Sequence, residues 1–179
     1  QLYSGLVDDC WYGRMHEETT IQNSVIRGYF GDGTSNEAIG LSQECGTNVR
    51  IVNNEIYDWA AHPIQIGHNN QAVLAGAVIE NNDIYFSTAA QTNGGRKIRG
   101  ENTLSVKASG TSNQPITIIN NRIWGNRVPD TSTCCNGSSG PAVAFGAGGG
   151  PNSDWILFRN NIVHDSQQGI EWTHWNANC

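Results

Sequence analysis

The chain has 179 residues and a formal net charge of −6, with 37% apolar and 15% charged residues. That length fits one domain spanning residues 1–179 and is enough to bury a sizeable core without metal or disulfide staples. Gly and Asn fill 42 of the 179 positions, which excludes a long helical bundle; the lack of any apolar stretch near twenty residues excludes a membrane-spanning helix, and six Trp, five Tyr and four Phe exclude a disordered chain.

Taken from the N-terminus, one phrase recurs. A weak copy, Thr-Thr-Ile-Gln-Asn-Ser-Val-Ile-Arg over Thr19–Arg27, precedes a short strand predicted at Ala38–Leu41. The first full copy, Val-Arg-Ile-Val-Asn-Asn-Glu-Ile-Tyr, occupies Val49–Tyr57, and a strand at Pro63–Ile66 separates it from Ala77–Tyr85. Thr103–Val106 precedes Ile116–Trp124, Ala142–Phe145 precedes Ile156–His164, and Gly169–Trp172 opens one more round. The Asn pairs start at 53, 81, 120 and 160, with Asn23-Ser24 before them, so the spacings are 30, 28, 39 and 40 residues. Each spacing is one coil plus a variable loop.

Each phrase alternates apolar and polar residues, breaks at Asn-Asn and alternates again, which predicts a strand, a tight bend and a second strand. Asn suits the bend because it tolerates the left-handed conformation and its amide can bond the same amide one coil away. Three short strands per coil predict an all-β fold, a right-handed parallel β-helix of five to six coils. No amphipathic helix lies between the strands, which disfavours a doubly wound α/β fold. Neither end carries a legible cap, and the chain begins at Gln1 without an initiator Met. It therefore reads as processed, as a fragment of a longer solenoid, or as a protomer that stacks end to end on copies of itself.

On these phrases, residues 19–172 resemble the right-handed parallel β-helix superfamily typified by pectate lyases and related polysaccharide lyases. The resemblance implies the fold, and it leaves activity to be read from the site, because the same solenoid serves lyases, hydrolases, phage tailspikes and structural proteins.

Aligning the phrases places equivalent residues of successive coils about 4.8 Å apart. Ile26, Ile56, Ile84, Ile123 and Val163 form an inward aliphatic column. An outward column reads Arg27, Tyr57, Tyr85, Trp124 and His164, a flat-faced stripe that either stacks on sugar rings or stacks on itself. The neighbouring outward column reads Val25, Glu55, Asp83, Arg122 and Ile162. Its two adjacent carboxylates call for a neutralising cation, either calcium bridging Glu55 and Asp83 or the Arg122 guanidinium.

Charge is distributed unevenly. Residues 1–95 carry three basic and eleven acidic side chains, whereas residues 96–159 carry seven basic and three acidic ones. An acidic protein lacks the extended basic surface that nucleic acid requires, but a local basic cluster suits an acidic polysaccharide. The cluster comprises Arg96, Lys97, Arg99, Lys107, Arg122, Arg127 and Arg159. High Asn and low Lys content, with a sequon at Asn136-Gly137-Ser138, lean towards a secreted, extracellular protein. The five cysteines, Cys10, Cys45, Cys134, Cys135 and Cys179, have no metal-ligand spacing, and their odd number leaves one unpaired or intermolecular.

Gly-Glu-Asn-Thr-Leu-Ser-Val-Lys-Ala-Ser-Gly at 100–110 is similar to the Gly-Glu-Asp-x-Leu-x-x-Lys-x-Ser-Gly stretch of small secreted pectate lyases. The likeness implies Glu101 as a calcium ligand and Lys107 as a groove residue, with Asn102 standing where that family has Asp. A lyase removes the proton alpha to the uronate carboxylate and expels the glycosidic oxygen, so its site needs a cation and a base. Lys107, crowded by other cations, is the candidate base; Arg122 or Arg127 would grip the carboxylate in a fork, and His62 and His68 are reserve bases. Hydrolase chemistry lacks the grouped carboxylates it requires. The competing class is a structural or adhesive solenoid, which the vicinal cysteines, the glycine run at 146–150 and the uncapped ends would serve.

Overall fold

A computed structural model describes residues 4–8, 18–28, 39–43, 46–59, 61–67, 72–88, 101–127, 140–146 and 154–172. Arg96, Lys97, Arg99, His68, all five cysteines, Asn136 and residues 147–150 lie outside them. Each repeat phrase forms two strands separated by the Asn bend, and the short apolar segment upstream forms a third.

One sheet runs in the order β1 (Ser4–Asp8), β4 (Ile39–Gln43), β7 (His62–Ile66), β11 (Leu104–Val106), β15 (Pro141–Phe145) and β18 (Gln168–Trp172). A second runs β2 (Thr20–Gln22), β5 (Arg50–Val52), β9 (Val78–Glu80), β13 (Ile116–Ile119) and β16 (Ile156–Arg159). The third runs β3 (Val25–Arg27), β6 (Glu55–Tyr57), β10 (Asp83–Tyr85), β14 (Arg122–Trp124) and β17 (Ile162–His164). A small fourth sheet pairs β8 (Ala72–Val73) with β12 (Ala108–Ser109). The pairings are parallel, and the register is the one the phrases dictate: Asp83 lies between Glu55 and Arg122, and Tyr85 between Tyr57 and Trp124. The protein is thus all-β, with parallel strands in stacked open sheets, an arrangement compatible with a parallel β-helix. Neither β1 nor the β8–β12 pair was expected from the repeat. β1 precedes the first copy, and the other two strands are too short to show alternation.

The two Asn of each pair divide the labour of the bend. Asn23, Asn53, Asn81, Asn120 and Asn160 take the left-handed conformation, with φ between 54° and 58°. The second positions build the ladder. The Asn82 amide Nδ2 donates to Asn121 Oδ1 and to the Ile51 carbonyl, both at 2.9 Å, while its Oδ1 accepts the Asn54 backbone N–H at 2.9 Å. Asn54 and Asn121 repeat this pattern, and Asn161 donates to the Ile118 carbonyl. The ladder stops at Ser24, whose N–H donates to Asn54 Oδ1. Asn54, Asn82 and Asn121 are buried, so these bonds satisfy polar groups that water does not reach.

The core lies between the three main sheets. Ile51, Ile79 and Ile118 enter it from the second sheet, Ile56, Ile84 and Ile123 from the third, and Ile64, Leu104 and Val143 from the first. Burying each such side chain stabilises the fold by about 2–3 kcal/mol before entropy is subtracted. The inward column read from the sequence is therefore a core ladder, with Ile26 and Val163 packed against its ends.

Candidate functional site

Alternation in the third sheet sends Ile56, Ile84 and Ile123 inward, so the residues on either side of them face outward together. The flat-faced column stacks on itself. Tyr57 and Tyr85 lie 4.8 Å apart at 2°, Tyr85 and Trp124 4.3 Å apart at 9°, and Trp124 and His164 5.7 Å apart at 8°. Arg27 caps the Tyr57 ring at 5.8 Å, and Arg122 lies 5.0 Å from the centre of Trp124.

The two outward columns are joined by a diagonal that repeats three times. Tyr85 donates its hydroxyl hydrogen to Glu55 at 2.7 Å, Trp124 Nε1 donates to Asp83 at 2.7 Å, and Arg122 Nε donates to His164 Nε2 at 3.0 Å. Burial, and then the hydrogen bond to Glu55, pushes the Tyr85 phenol well above its usual value. Arg122 also comes within 3.8 Å of Asp83. A shallow depression along the bend between the second and third sheets is lined in part by Asn53, Asn81, Glu55 and Asp83.

Calcium requires six to eight oxygen ligands. Glu55 and Asp83 supply two carboxylates, one oxygen of each already bonded to a ring donor. Glu101 belongs elsewhere, in the approach to β11, where its Oε2 lies 2.7 Å from Nε2 of the buried His62. The other nitrogen of His62 faces the Asn102 carbonyl at 3.3 Å. Among the described residues no three or more His, Cys, Asp or Glu converge as metal ligands. Glu55 and Asp83 are thus part of such an oxygen set, and Glu101 stands apart from them.

Arg122 and Arg127 converge on one pair, His164 and Asp165. His164 Nδ1 lies 2.8 Å from Asp165 Oδ2, and Arg127 comes within 3.5 Å of Asp165 Oδ1 while its Nε donates to the Asp165 carbonyl at 3.1 Å. The His164 hydrogen bond, with Arg127 and Arg122 nearby, holds the Asp165 carboxyl below the usual range. Arg122, Arg127 and Asp165 are 52%, 59% and 63% exposed, so the group is open to a ligand. Lys107 follows β11 of the first sheet and donates to Gln65 at 3.2 Å, a partner apart from the Arg pair.

Sequence alignment stopped one residue short of Asp165. Extending it past the aromatic column aligns Asp58, Gly125 and Asp165, all left-handed, with φ of 63°, 81° and 50°. The signal was a residue able to take that conformation directly after Tyr57, Trp124 and His164. The same corner holds a polar run that the sequence reading passed over. Buried Asp58 accepts two bonds from Ser87 at 2.7 Å, and the backbone N–H of buried Asn126 donates to Ser166 Oγ at 3.2 Å.

No family model, curated protein or solved structure matches this chain.

Proposed function

We infer that the chain is a right-handed parallel β-helix whose third sheet binds a uronic-acid-containing polysaccharide and cleaves it by β-elimination. The observation that carries this reading is the convergence of Arg122 and Arg127 on the His164–Asp165 pair beside the stacked column. Two guanidiniums offset a uronate carboxylate, which makes its alpha proton acidic enough to remove. The fold half of the reading draws on the strand order, which visits the three sheets in turn, and on the right-handed preference of parallel crossovers. A secreted location and binding through Arg96 and Arg99 belong to the same reading, as does calcium at Glu55, Asp83 or Glu101.

A second reading, a non-catalytic structural or adhesive solenoid, is favoured by a different observation. The faces of Tyr57, Tyr85 and Trp124 are turned to one another, so the stripe is satisfied internally rather than laid open to sugar rings.

Ultraviolet detection of unsaturated uronate ends after incubation with polygalacturonate, alginate and glycosaminoglycans separates the two. Product from one polymer, lost in Arg127→Ala, is expected under the first reading. No product from any polymer, together with assemblies that grow in sedimentation, establishes the second.

A further inference from the structure

We propose that His164 is the proton acceptor of the elimination, held in one tautomer by Arg122 and Asp165, and that the incoming uronate carboxylate uncovers it. This rests on the cleavage reading above and assigns the base within the same site.

The tautomer follows from the hydrogen bonds on the two ring nitrogens. Arg122 Nε can only donate, and it points at Nε2 from 3.0 Å, so Nε2 carries the lone pair. The ring hydrogen then sits on Nδ1, which faces Asp165 Oδ2 at 2.8 Å and donates to it. Asp165 reaches that position because its backbone is left-handed, with φ of 50°, which turns its carboxylate back onto the preceding residue. Arg127 braces the same carboxylate from its other oxygen and through the carbonyl. A neutral imidazole with an anchored Nδ1–H and a lone pair on Nε2 has the form of a general base.

An imidazole nitrogen has a single in-plane lone pair, and here Arg122 occupies it. Arg122 lies over Trp124 with Asp83 at 3.8 Å, and its side chain is half exposed, so it can turn towards an incoming anion. A uronate carboxylate offers it a forked, charge-assisted partner, stronger than the neutral nitrogen it leaves. Binding thus places a cation on the carboxylate and frees the base in one motion.

In the step itself, Nε2 takes the proton from the carbon alpha to the carboxylate, and the C–H electron pair becomes the new carbon–carbon double bond. The glycosidic C–O bond breaks with its pair passing to oxygen, which is protonated by water. The hydroxide so formed recovers the proton from the imidazolium, which Asp165 stabilises meanwhile. Asp165 is a positioning residue, since it touches only the imidazole in this scheme.

The test uses the full chain labelled with nitrogen-15 in histidine. Two-bond correlation spectra at neutral pH should show His164 with hydrogen on Nδ1 and a hydrogen-bonded Nε2, and addition of trigalacturonate should shift Nε2 as Arg122 departs. Formation of unsaturated ends should fall at least 100-fold in His164→Ala and about 10-fold in Asp165→Asn, the latter with KM unchanged, because the amide keeps the tautomer but not the charge. Hydrogen on Nε2 in the wild-type spectrum overturns the proposal whatever the activity. An active wild type with an equally active His164→Ala overturns it and leaves the cleavage reading standing. A wild type that produces no unsaturated ends overturns both.

Discussion

Tyr85 donates its hydroxyl hydrogen to Glu55 across neighbouring strands at 2.7 Å, and Trp124 treats Asp83 in the same way one strand further on. Each carboxylate of the acidic column is therefore held by a ring of the next repeat, which fixes both columns in register. Tyr85→Phe should keep the stack, since the ring is unchanged, and cost about 1–2 kcal/mol for the lost charge-assisted bond. The phenol also makes stability pH-dependent. Its folded value is raised above the ordinary 10.0, so the unfolded chain loses this proton first as pH rises. The contribution is complete below pH 10 and is lost above it. Alkaline melting curves should fall more steeply for wild type than for Tyr85→Phe; parallel curves would contradict this.

Asn82 occupies the middle of the buried ladder. Asn82→Ala leaves the Asn54 N–H without its acceptor and takes the amide donor from the Ile51 carbonyl and from Asn121 Oδ1, which keeps only the backbone N–H of residue 82, and should cost about 3 kcal/mol in denaturant unfolding. Asn82→Asp should cost more, because its carboxylate can accept from Asn54 but cannot donate to the two oxygens. The exposed Asn81→Gly, by contrast, should change stability by less than about 1 kcal/mol, since glycine accepts the φ of 55° found there.

Asp83→Asn removes a charge while keeping an oxygen for Trp124, and so should change stability by less than about 1 kcal/mol. Calcium bridging Glu55 and Asp83 should raise the melting temperature of wild type more than that of Asp83→Asn. An equal rise in both would remove a metal between the two carboxylates.

Asp165 should titrate below an ordinary aspartate, and the hydrogen bond from His164 is the leading cause. Because its folded value is depressed below 3.8, its contribution is present above that pH and is lost as pH falls through the folded value. Carboxyl carbon resonances followed from pH 6 downwards should show the midpoint rising in His164→Phe, and by less in Arg127→Gln. An unmoved midpoint in His164→Phe would show that the imidazole does not set it.

The strands of the repeat, their order and their register were legible in the sequence because a repeat carries its own alignment, whereas β1, β8 and β12 lie outside it. Once Asn53, Asn81, Asn120 and Asn160 are matched, Glu55, Asp83 and Arg122 must stand side by side, as must Tyr57, Tyr85, Trp124 and His164. Side-chain period two then divides core from surface, and the inward isoleucines follow from it. The two roles within each Asn pair were not separable, because both positions hold the same residue, and only backbone conformation and burial distinguish them.

Tertiary structure alone decided how the surface residues are used. The diagonal from Glu55 to Tyr85 depends on where two rotamers point, and register does not state that. The rings chose one another's faces because stacked strands hold them at close to ring-stacking distance. Lys107, read as the base beside Arg122 or Arg127, follows a strand of the first sheet and donates to Gln65. Asp165 joined His164 through a left-handed residue that breaks the alternation on which the columns were read. Local pattern determined the strands and the core face of this protein, whereas the corners, where the period is lost, decided which charges meet.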